Sequence, residues 1–208
     1  NFPQAAPLDE KRGSLQSWRL EILPYLEQNE LYQRIRHDEP WDSAANRPLT
    51  STAVLEVFQC PAHWSQTPHT HYFAVVGEQT AWPPDRGRKL NEFRDGREFT
   101  LLALEAPHKQ AMWAEPVDFT FEEAIDYLTR TPTDRTGMHE SQPGFFYKTT
   151  WSINAVFADG HVGYLSLPLP REVAVAILTV DGGEEIDVSS LRSWMEPELD
   201  YAKCYAFA

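Results

Sequence analysis

The chain has 208 residues and a mass of 23.9 kDa, which is enough for one domain with a real hydrophobic core. Hydrophobic residues make up 42% and charged residues 24% of the chain, fractions that exclude a disordered protein, a coiled coil and a collagen-like repeat. The formal charge of −13 repels phosphate backbones and anionic lipid, so we expect no nucleic-acid partner.

The first predicted elements are an extended lead-in and a broken helix. Residues 1–13 show no apolar periodicity and are predicted to be extended. Apolar residues then recur at helical spacing from Leu15 to Ile35, which predicts a helical segment. Pro24 lies inside this segment and either kinks it or lies in the first turn of its second half, because proline lacks the amide that a preceding turn needs.

The middle of the chain is predicted to supply strands and one helix. Short β-rich runs lie at 54–58 and 72–77, and a continuous apolar run at 99–105 is typical of a buried central strand. Thr120 and Glu123 form a capping box, which predicts the start of a short helix.

The last third is predicted to contain a long excursion, a hairpin and a helix. Residues 129–148 are rich in Thr, Pro and Gly and are typical of a long surface connection. The apolar runs 153–158 and 161–167 flank an Asp-Gly dipeptide, which predicts a β-hairpin. Residues 173–178 fit either a helix or a strand, and the proline before them and the glycines after them favour a helix.

The order of these elements predicts an α+β fold. A helical segment comes first, and antiparallel strands with inserted helices and long loops follow. The chain shows no βαβ alternation and no glycine-rich phosphate loop, so we expect neither a Rossmann sheet nor a TIM barrel. No repeat and no change in composition marks a boundary, so residues 1–208 are predicted to form a single domain.

Three histidines near one cysteine form the densest group of candidate metal ligands. These residues are Cys60, His63, His69 and His71. If His69 and His71 begin one strand, their spacing places both imidazoles on the same face, where with His63 they could hold Zn²⁺. The alternative is a solvated or aromatic-stacked cluster without metal, and the spacing fits both.

A second group of candidate ligands is acidic. Asp181, Glu184, Glu185 and Asp187 surround two consecutive glycines and offer the hard oxygens that Ca²⁺ favours. They do not match the spacing of an EF-hand loop. Asp181, Glu184 and Asp187 are therefore calcium-like candidates, and an exposed helix terminator with solvated charges is the alternative.

The two cysteines and the candidate acid–base residues lack a motif. Cys60 and Cys204 fit either one disulfide or two free thiols, because the sequence gives no distance between them. Glu105 with Glu115, or His139 with an acid or serine partner, could serve hydrolysis, but the chain has no GxSxG elbow and no HExxH helix. We therefore expect no enzymatic activity, no catalytic residue and no bound organic cofactor.

A series of longer motifs runs through the chain in a fixed order. They are Ser17-Trp18-Arg19, Leu23-Pro24-Tyr25-Leu26-Glu27-Gln28, Asp38-Glu39-Pro40-Trp41-Asp42-Ser43 with Asn46, Phe58-Gln59-Cys60-Pro61, Trp113-Ala114-Glu115-Pro116-Val117-Asp118, Phe157-Ala158-Asp159-Gly160-His161-Val162 and Asp181-Gly182-Gly183-Glu184. In this order they resemble a planctomycete-type family of prepilin-like proteins of unassigned function, whose domain is sometimes labelled solute-binding-like. The chain departs from it at Thr149, where many members carry a histidine ten positions before Asp159.

The resemblance implies a pilin-like fold and an exported protein. A long hydrophobic helix would precede Asn1, anchor the precursor in the inner membrane and pack against other pilin-like subunits. The expected location is the cell envelope, outside the cytoplasm. In pseudopilins a loop near the C-terminus can bind calcium, and the stretch from Asp181 to Asp187 is the nearest analogue here.

The leading hypothesis is a non-enzymatic structural or assembly protein, the soluble head of a type IV pilin-like or type II secretion pseudopilin-like subunit. The main alternative is an extracytoplasmic module that binds a carbohydrate or another small solute through tryptophans and the histidine group. A metal-dependent hydrolase is the third. The assembly protein predicts an upstream apolar helix. The binding module predicts an aromatic pocket, and the hydrolase predicts a tightly held metal.

Overall fold

The chain combines short helices with mainly antiparallel strands, so the fold is α+β, as predicted. The structure is a computed structural model that describes residues 2–5, 8–9, 13–14, 16–131, 138–141 and 150–183. The α-helices are α1 (Trp18–Glu21), α2 (Asn29–Arg34), α3 (Arg47–Thr50), α4 (Phe121–Thr129) and α5 (Arg171–Leu178). Single 3₁₀ turns lie at Leu23–Leu26, Glu56–Phe58, Pro61–His63, Leu90–Glu92 and Pro107–Lys109.

The strands form one main sheet and three small pairs. They are β1 (Leu8–Asp9), β2 (Gly13–Ser14), β3 (His69–Thr70), β4 (Tyr72–Phe73), β5 (Val75–Val76), β6 (Leu101–Glu105), β7 (Ala111–Met112), β8 (Phe119–Thr120), β9 (His139–Ser141), β10 (Thr150–Phe157) and β11 (Val162–Leu167). The main sheet is antiparallel in the order β11-β10-β6-β4, with β9 also beside β10. β1 pairs with β2 and β3 with β7 antiparallel, whereas β5 and β8 are parallel.

The N-terminal helical segment is broken next to Pro24, as predicted. α1 ends at Glu21, and Pro24 is the second residue of the 3₁₀ turn Leu23–Leu26. Glu27 has a φ of 60°, a left-handed conformation that redirects the chain before α2 begins. Within the lead-in, β1 and β2 form a small antiparallel pair, which the extended prediction for residues 1–13 did not include.

A buried ion pair fixes the N-terminal segment to the sheet. The guanidinium of Arg19 donates to the Tyr72 carbonyl at 2.7 and 3.0 Å and to Oδ1 of Asp118 at 2.8 Å. That carboxylate also accepts from the Trp18 indole at 3.2 Å and from the Ala74 amide at 2.8 Å. The Arg19 side chain is fully buried, so these contacts stabilise a charge that would otherwise be costly in the core.

The predicted strand over 54–58 is wrong. The segment forms the 3₁₀ turn Glu56–Phe58. Leu55 and Phe58 are both buried in one cluster with Trp113. A 3₁₀ turn places residues three apart on the same side, whereas a strand would point Leu55 and Phe58 to opposite faces.

The predicted strand over 72–77 is divided into β4 and β5. The Ala74 amide between them donates to the Asp118 carboxylate instead of to a neighbouring strand. β4 therefore pairs with β6 and β5 with β8. The two strands join different sheets because one buried carboxylate takes the amide that lies between them.

The central strand, the capped helix, the hairpin and the C-terminal helix are confirmed. The central strand is β6, which lies between β10 and β4. Thr120 and Glu123 form the predicted capping box at the start of α4, with hydrogen bonds in both directions. The hairpin is formed by β10 and β11, with Gly160 at a φ of 95° in the turn. The ambiguous C-terminal segment is the helix α5.

The largest hydrophobic cluster packs one face of the main sheet against α4 and α5. Its members include Phe73, Leu104, Ile125, Leu128, Ile153, Leu165 and Ile177. Because side chains alternate along a strand, Tyr72, Glu105 and Asn154 point to the opposite face.

No helix in the described part of the chain combines the length and the apolar character that crossing a bilayer requires.

Candidate metal centre

The site lies in a gap between two strands that share one edge of β10. β6 pairs with residues 155–157 of β10, and β9 pairs with residues 150–152. β11 occupies the other edge of β10. Glu105 is the last residue of β6 and His139 the first of β9, so their side chains meet beside Asn154.

A loop delivers a cysteine and a histidine to the same gap. Cys60 precedes the 3₁₀ turn Pro61–His63, and the His63 amide donates to the Cys60 carbonyl at 2.9 Å. The Cys60 amide donates to Nδ1 of His71 at 3.0 Å, which fixes the backbone that carries the thiol. The turn therefore presents the side chains of Cys60 and His63 together.

Four ligand-type atoms converge on the gap. One atom each from Cys60, His63, Glu105 and His139 lie within 4.8 Å of one another. Nε2 of His139 is 2.9 Å from Oε2 of Glu105 and 3.5 Å from Sγ of Cys60. Cys60 and Glu105 are buried, and the two histidines are partly exposed. The donors therefore combine a thiol, two imidazoles and a carboxylate, a set that suits a transition metal such as zinc.

The hydrogen bonds of Glu105 are unevenly distributed over its two oxygens. Oε2 accepts from the Asn154 amide at 2.9 Å and from its side-chain nitrogen at 2.7 Å, and it also lies beside His139. Oε1 of Glu105 is buried without a hydrogen-bond partner, and so is Nε2 of His63. Among the described residues, these two are the buried side-chain atoms left without a partner, and both belong to this site.

The environment of the thiol disfavours its ionisation. Burial, followed by the contact with Glu105, raises the pKa of Cys60 to about 11. A nucleophilic cysteine needs the opposite shift, toward a stable thiolate at neutral pH. Burial also lowers the pKa of His71, which keeps that imidazole neutral and able to accept from the Cys60 amide. The site therefore lacks the features of an activated cysteine nucleophile.

Only one of the three predicted zinc-type histidines contributes a ligand atom to this group. His63 does so, whereas His71 supports Cys60 through Nδ1. His69 lies in β3, and its Nδ1 is 3.1 Å from the Thr67 hydroxyl. The shared face predicted for His69 and His71 does not form, because β3 ends at Thr70 and the chain changes sheets.

The calcium-like candidates are described in part. Oδ2 of Asp181 accepts from the Arg94 guanidinium at 2.8 Å. The amides of Gly182 and Gly183 donate to the carboxylate of Asp95 at 2.7 and 3.2 Å, so this backbone faces an anion. Glu184, Glu185 and Asp187 lie outside the described residues. Among the described residues Cys60 has no disulfide partner, and Cys204 lies outside them.

Sequence reasoning did not connect Glu105 and His139 with the histidine group. The sequence does contain one indication for Glu105, because it is a carboxylate at the end of an apolar strand. Fully buried acids such as this one almost always have a charged or metal partner. His139 lies in the stretch predicted as a surface excursion, which in fact contains β9. Its contact with Glu105 depends on the pairing of β9 with β10, and a single sequence gives no signal for that pairing.

The chain is thus an α+β protein with a candidate metal centre at a gap in its main sheet. Residues 1–75 match the model of a family described as protein of unknown function (DUF1559). The matched stretch includes Cys60, His63 and His71 and ends before Glu105 and His139. No curated protein and no solved structure matches the chain.

Proposed function

We propose that the protein is a non-enzymatic structural component of an envelope assembly, the head of a pilin-like or pseudopilin-like subunit. Its partners are other pilin-like subunits, which it contacts through a hydrophobic helix upstream of Asn1. It is located outside the cytoplasm, at the cell envelope.

One observation carries this proposal: several residues of the motifs that resemble prepilin-like proteins are part of the scaffold. Trp18, Arg19, Asn46 and Trp113 are all buried. Arg19 is bound to Asp118, the last residue of another of these motifs. Residues that build a scaffold support a shared architecture.

The chemistry of the buried site agrees with a non-enzymatic role. In the chain without a metal, burial raises the pKa of Cys60 to about 11, so the thiol is not an activated nucleophile. Oε2 of Glu105 is taken by Asn154, and the carboxylate is fully buried. Both side chains are buried, so neither reaches a substrate at the surface.

The test is mass spectrometry of the mature N-terminus of the full-length protein, isolated from envelope fractions of cells that express it. We expect a methylated residue at the start of a long apolar segment upstream of Asn1. In cells that lack prepilin peptidase, the same protein should retain its leader and stay unmethylated. A mature end close to Asn1 in both strains would overturn the proposal and favour a secreted solute-binding module.

A further inference from the structure

We propose that Cys60, His63, Glu105 and His139 bind one transition-metal ion of the Zn²⁺ class. The ion would hold the loop that carries Cys60 and His63 against the ends of β6 and β9. This site is independent of the proposed role in an assembly, because none of its residues belongs to the upstream helix through which the subunits would contact one another.

The first argument is distance. The four ligand-type atoms lie within 4.8 Å of one another. In a tetrahedral zinc site with ordinary bond lengths, ligand atoms are about 3.3 to 3.8 Å apart. The existing separations therefore need shifts of roughly 1 Å or less, which a rotation of the partly exposed imidazoles can supply.

The second argument is the pair of buried atoms without partners. Oε1 of Glu105 and Nε2 of His63 have no hydrogen-bond partner, although burial of such atoms costs free energy. Glu105 is fully buried, so water does not offset this cost from outside. Metal coordination would use both atoms at once, which explains why the two unpartnered atoms lie in the same gap.

The third argument is the support behind each buried ligand. Asn154 holds Oε2 of Glu105 and leaves Oε1 available. Nδ1 of His71 accepts from the Cys60 amide and fixes the backbone next to the thiol. Ligands of metal sites in proteins are typically oriented by such outer hydrogen bonds.

The donor set and the charge decide the class of metal. A thiolate and two imidazoles favour zinc and similar transition metals over Ca²⁺ and Mg²⁺, which take oxygen ligands. Binding would release the proton of the Cys60 thiol to solvent and leave a thiolate. A divalent ion with one thiolate and the Glu105 carboxylate has zero net charge, which suits a buried site. Four protein ligands complete a tetrahedron, as in structural zinc sites.

The experiment uses the full 208-residue chain, stripped of metal with a chelator and titrated with Co²⁺ and Zn²⁺. We expect one Co²⁺ per chain, the intense visible bands of tetrahedral cobalt and a thiolate-to-cobalt charge-transfer band in the near ultraviolet. Zn²⁺ should displace the cobalt and remove both signals. A metal-to-protein ratio well below one, or a pale octahedral spectrum without the charge-transfer band, would overturn the proposal.

Variants identify the ligands. Cys60→Ser should abolish the charge-transfer band, and Glu105→Gln and His139→Ala should each weaken Co²⁺ binding by at least about 10-fold. His69→Ala is the matched control, because His69 lies in the same histidine-rich stretch and bonds to Thr67 outside the site. Cobalt spectra that are the same for Cys60→Ser and the unmodified protein would contradict the assignment. Circular dichroism of each variant verifies its fold, and the titration of the unmodified protein stands even where a variant fails to fold.

Discussion

Asn154 donates both its backbone amide and its side-chain amide to a single oxygen of Glu105, at 2.9 and 2.7 Å. On this edge of β10 the residue lies between the stretches that pair with β6 and with β9. The Glu105 carboxylate takes the place of the carbonyl that a neighbouring strand would offer. The same contact fixes the carboxylate beside Cys60 and the two histidines and leaves Oε1 without a hydrogen-bond partner, so Asn154 is a positioning residue for the proposed ion.

Asn154→Ala should weaken metal binding without abolishing it. The variant loses the side-chain donor to Glu105 and keeps the backbone donor, so the carboxylate is oriented less well. We expect about 10- to 100-fold lower Zn²⁺ affinity at an unchanged ratio of one ion per chain. Competition with a chromophoric chelator measures both quantities. Val162→Ala, an exposed substitution on β11, is the control, and equal affinities for the two variants would argue against the positioning role.

Local and non-local features of this fold differ in how far the sequence predicts them. The capping box of α4 and the β10–β11 hairpin depend on residues a few positions apart, and both were predicted. The strand predicted at 54–58 was wrong because its two apolar residues pack to one side against Trp113, a contact far along the chain. Tertiary packing overrode a short β-rich run.

The candidate site depends on non-local contacts even more strongly. Cys60 and His63 were recognised as possible ligands because they lie close together in the sequence. Glu105 and His139 join them through strand pairings with β10, and His139 lies 34 residues after Glu105. The residue types were visible in the sequence, and their convergence was not.

Arg19→Met should be strongly destabilising. It would leave the Asp118 carboxylate buried without its cation, and breaking a buried ion pair typically costs about 3 to 5 kcal/mol. Urea unfolding of the variant and the unmodified protein measures the difference. Arg171→Met is the control, because Arg171 is exposed and 3.7 Å from Glu122, and its loss should cost less than about 1 kcal/mol. Similar losses for the two variants would contradict the importance of the buried pair.

Asn46→Ala should destabilise the loop that follows α2. The Asn46 side chain accepts from the Arg36 amide at 2.8 Å and donates to the carbonyls of Arg36 and Pro40, both at 2.9 Å. The residue is fully buried, so these backbone groups lose partners that water does not replace. We expect a loss of about 1 to 3 kcal/mol in the free energy of unfolding.

Asp38 lies in the same motif and provides the comparison for Asn46. It is exposed, so Asp38→Ala should change the free energy of unfolding by less than about 0.5 kcal/mol. The two variants are compared by chemical denaturation under the same conditions. If Asp38→Ala were the more damaging of the two, the loop would be held by contacts other than those of Asn46.

The capping box of α4 should give a pH-dependent contribution to stability. The hydrogen bond from the Thr120 amide lowers the pKa of Glu123 below its ordinary value. A carboxyl whose pKa is lower in the folded state stabilises the fold above its unfolded pKa, and this contribution disappears as the pH falls through the folded pKa. Glu123→Gln should therefore cost about 0.5 kcal/mol at neutral pH, a small value because the side chain is exposed, and less in acid.

Thr120→Ala separates the charge of the box from its hydrogen bond. The Thr120 hydroxyl accepts from the Glu123 amide and does not titrate, so its removal should cost about 1 kcal/mol at both pH values. Urea unfolding of the three proteins at neutral pH and near pH 3 gives the two differences. A cost of Glu123→Gln that stays constant with pH would mean that the carboxylate charge does not stabilise the start of α4.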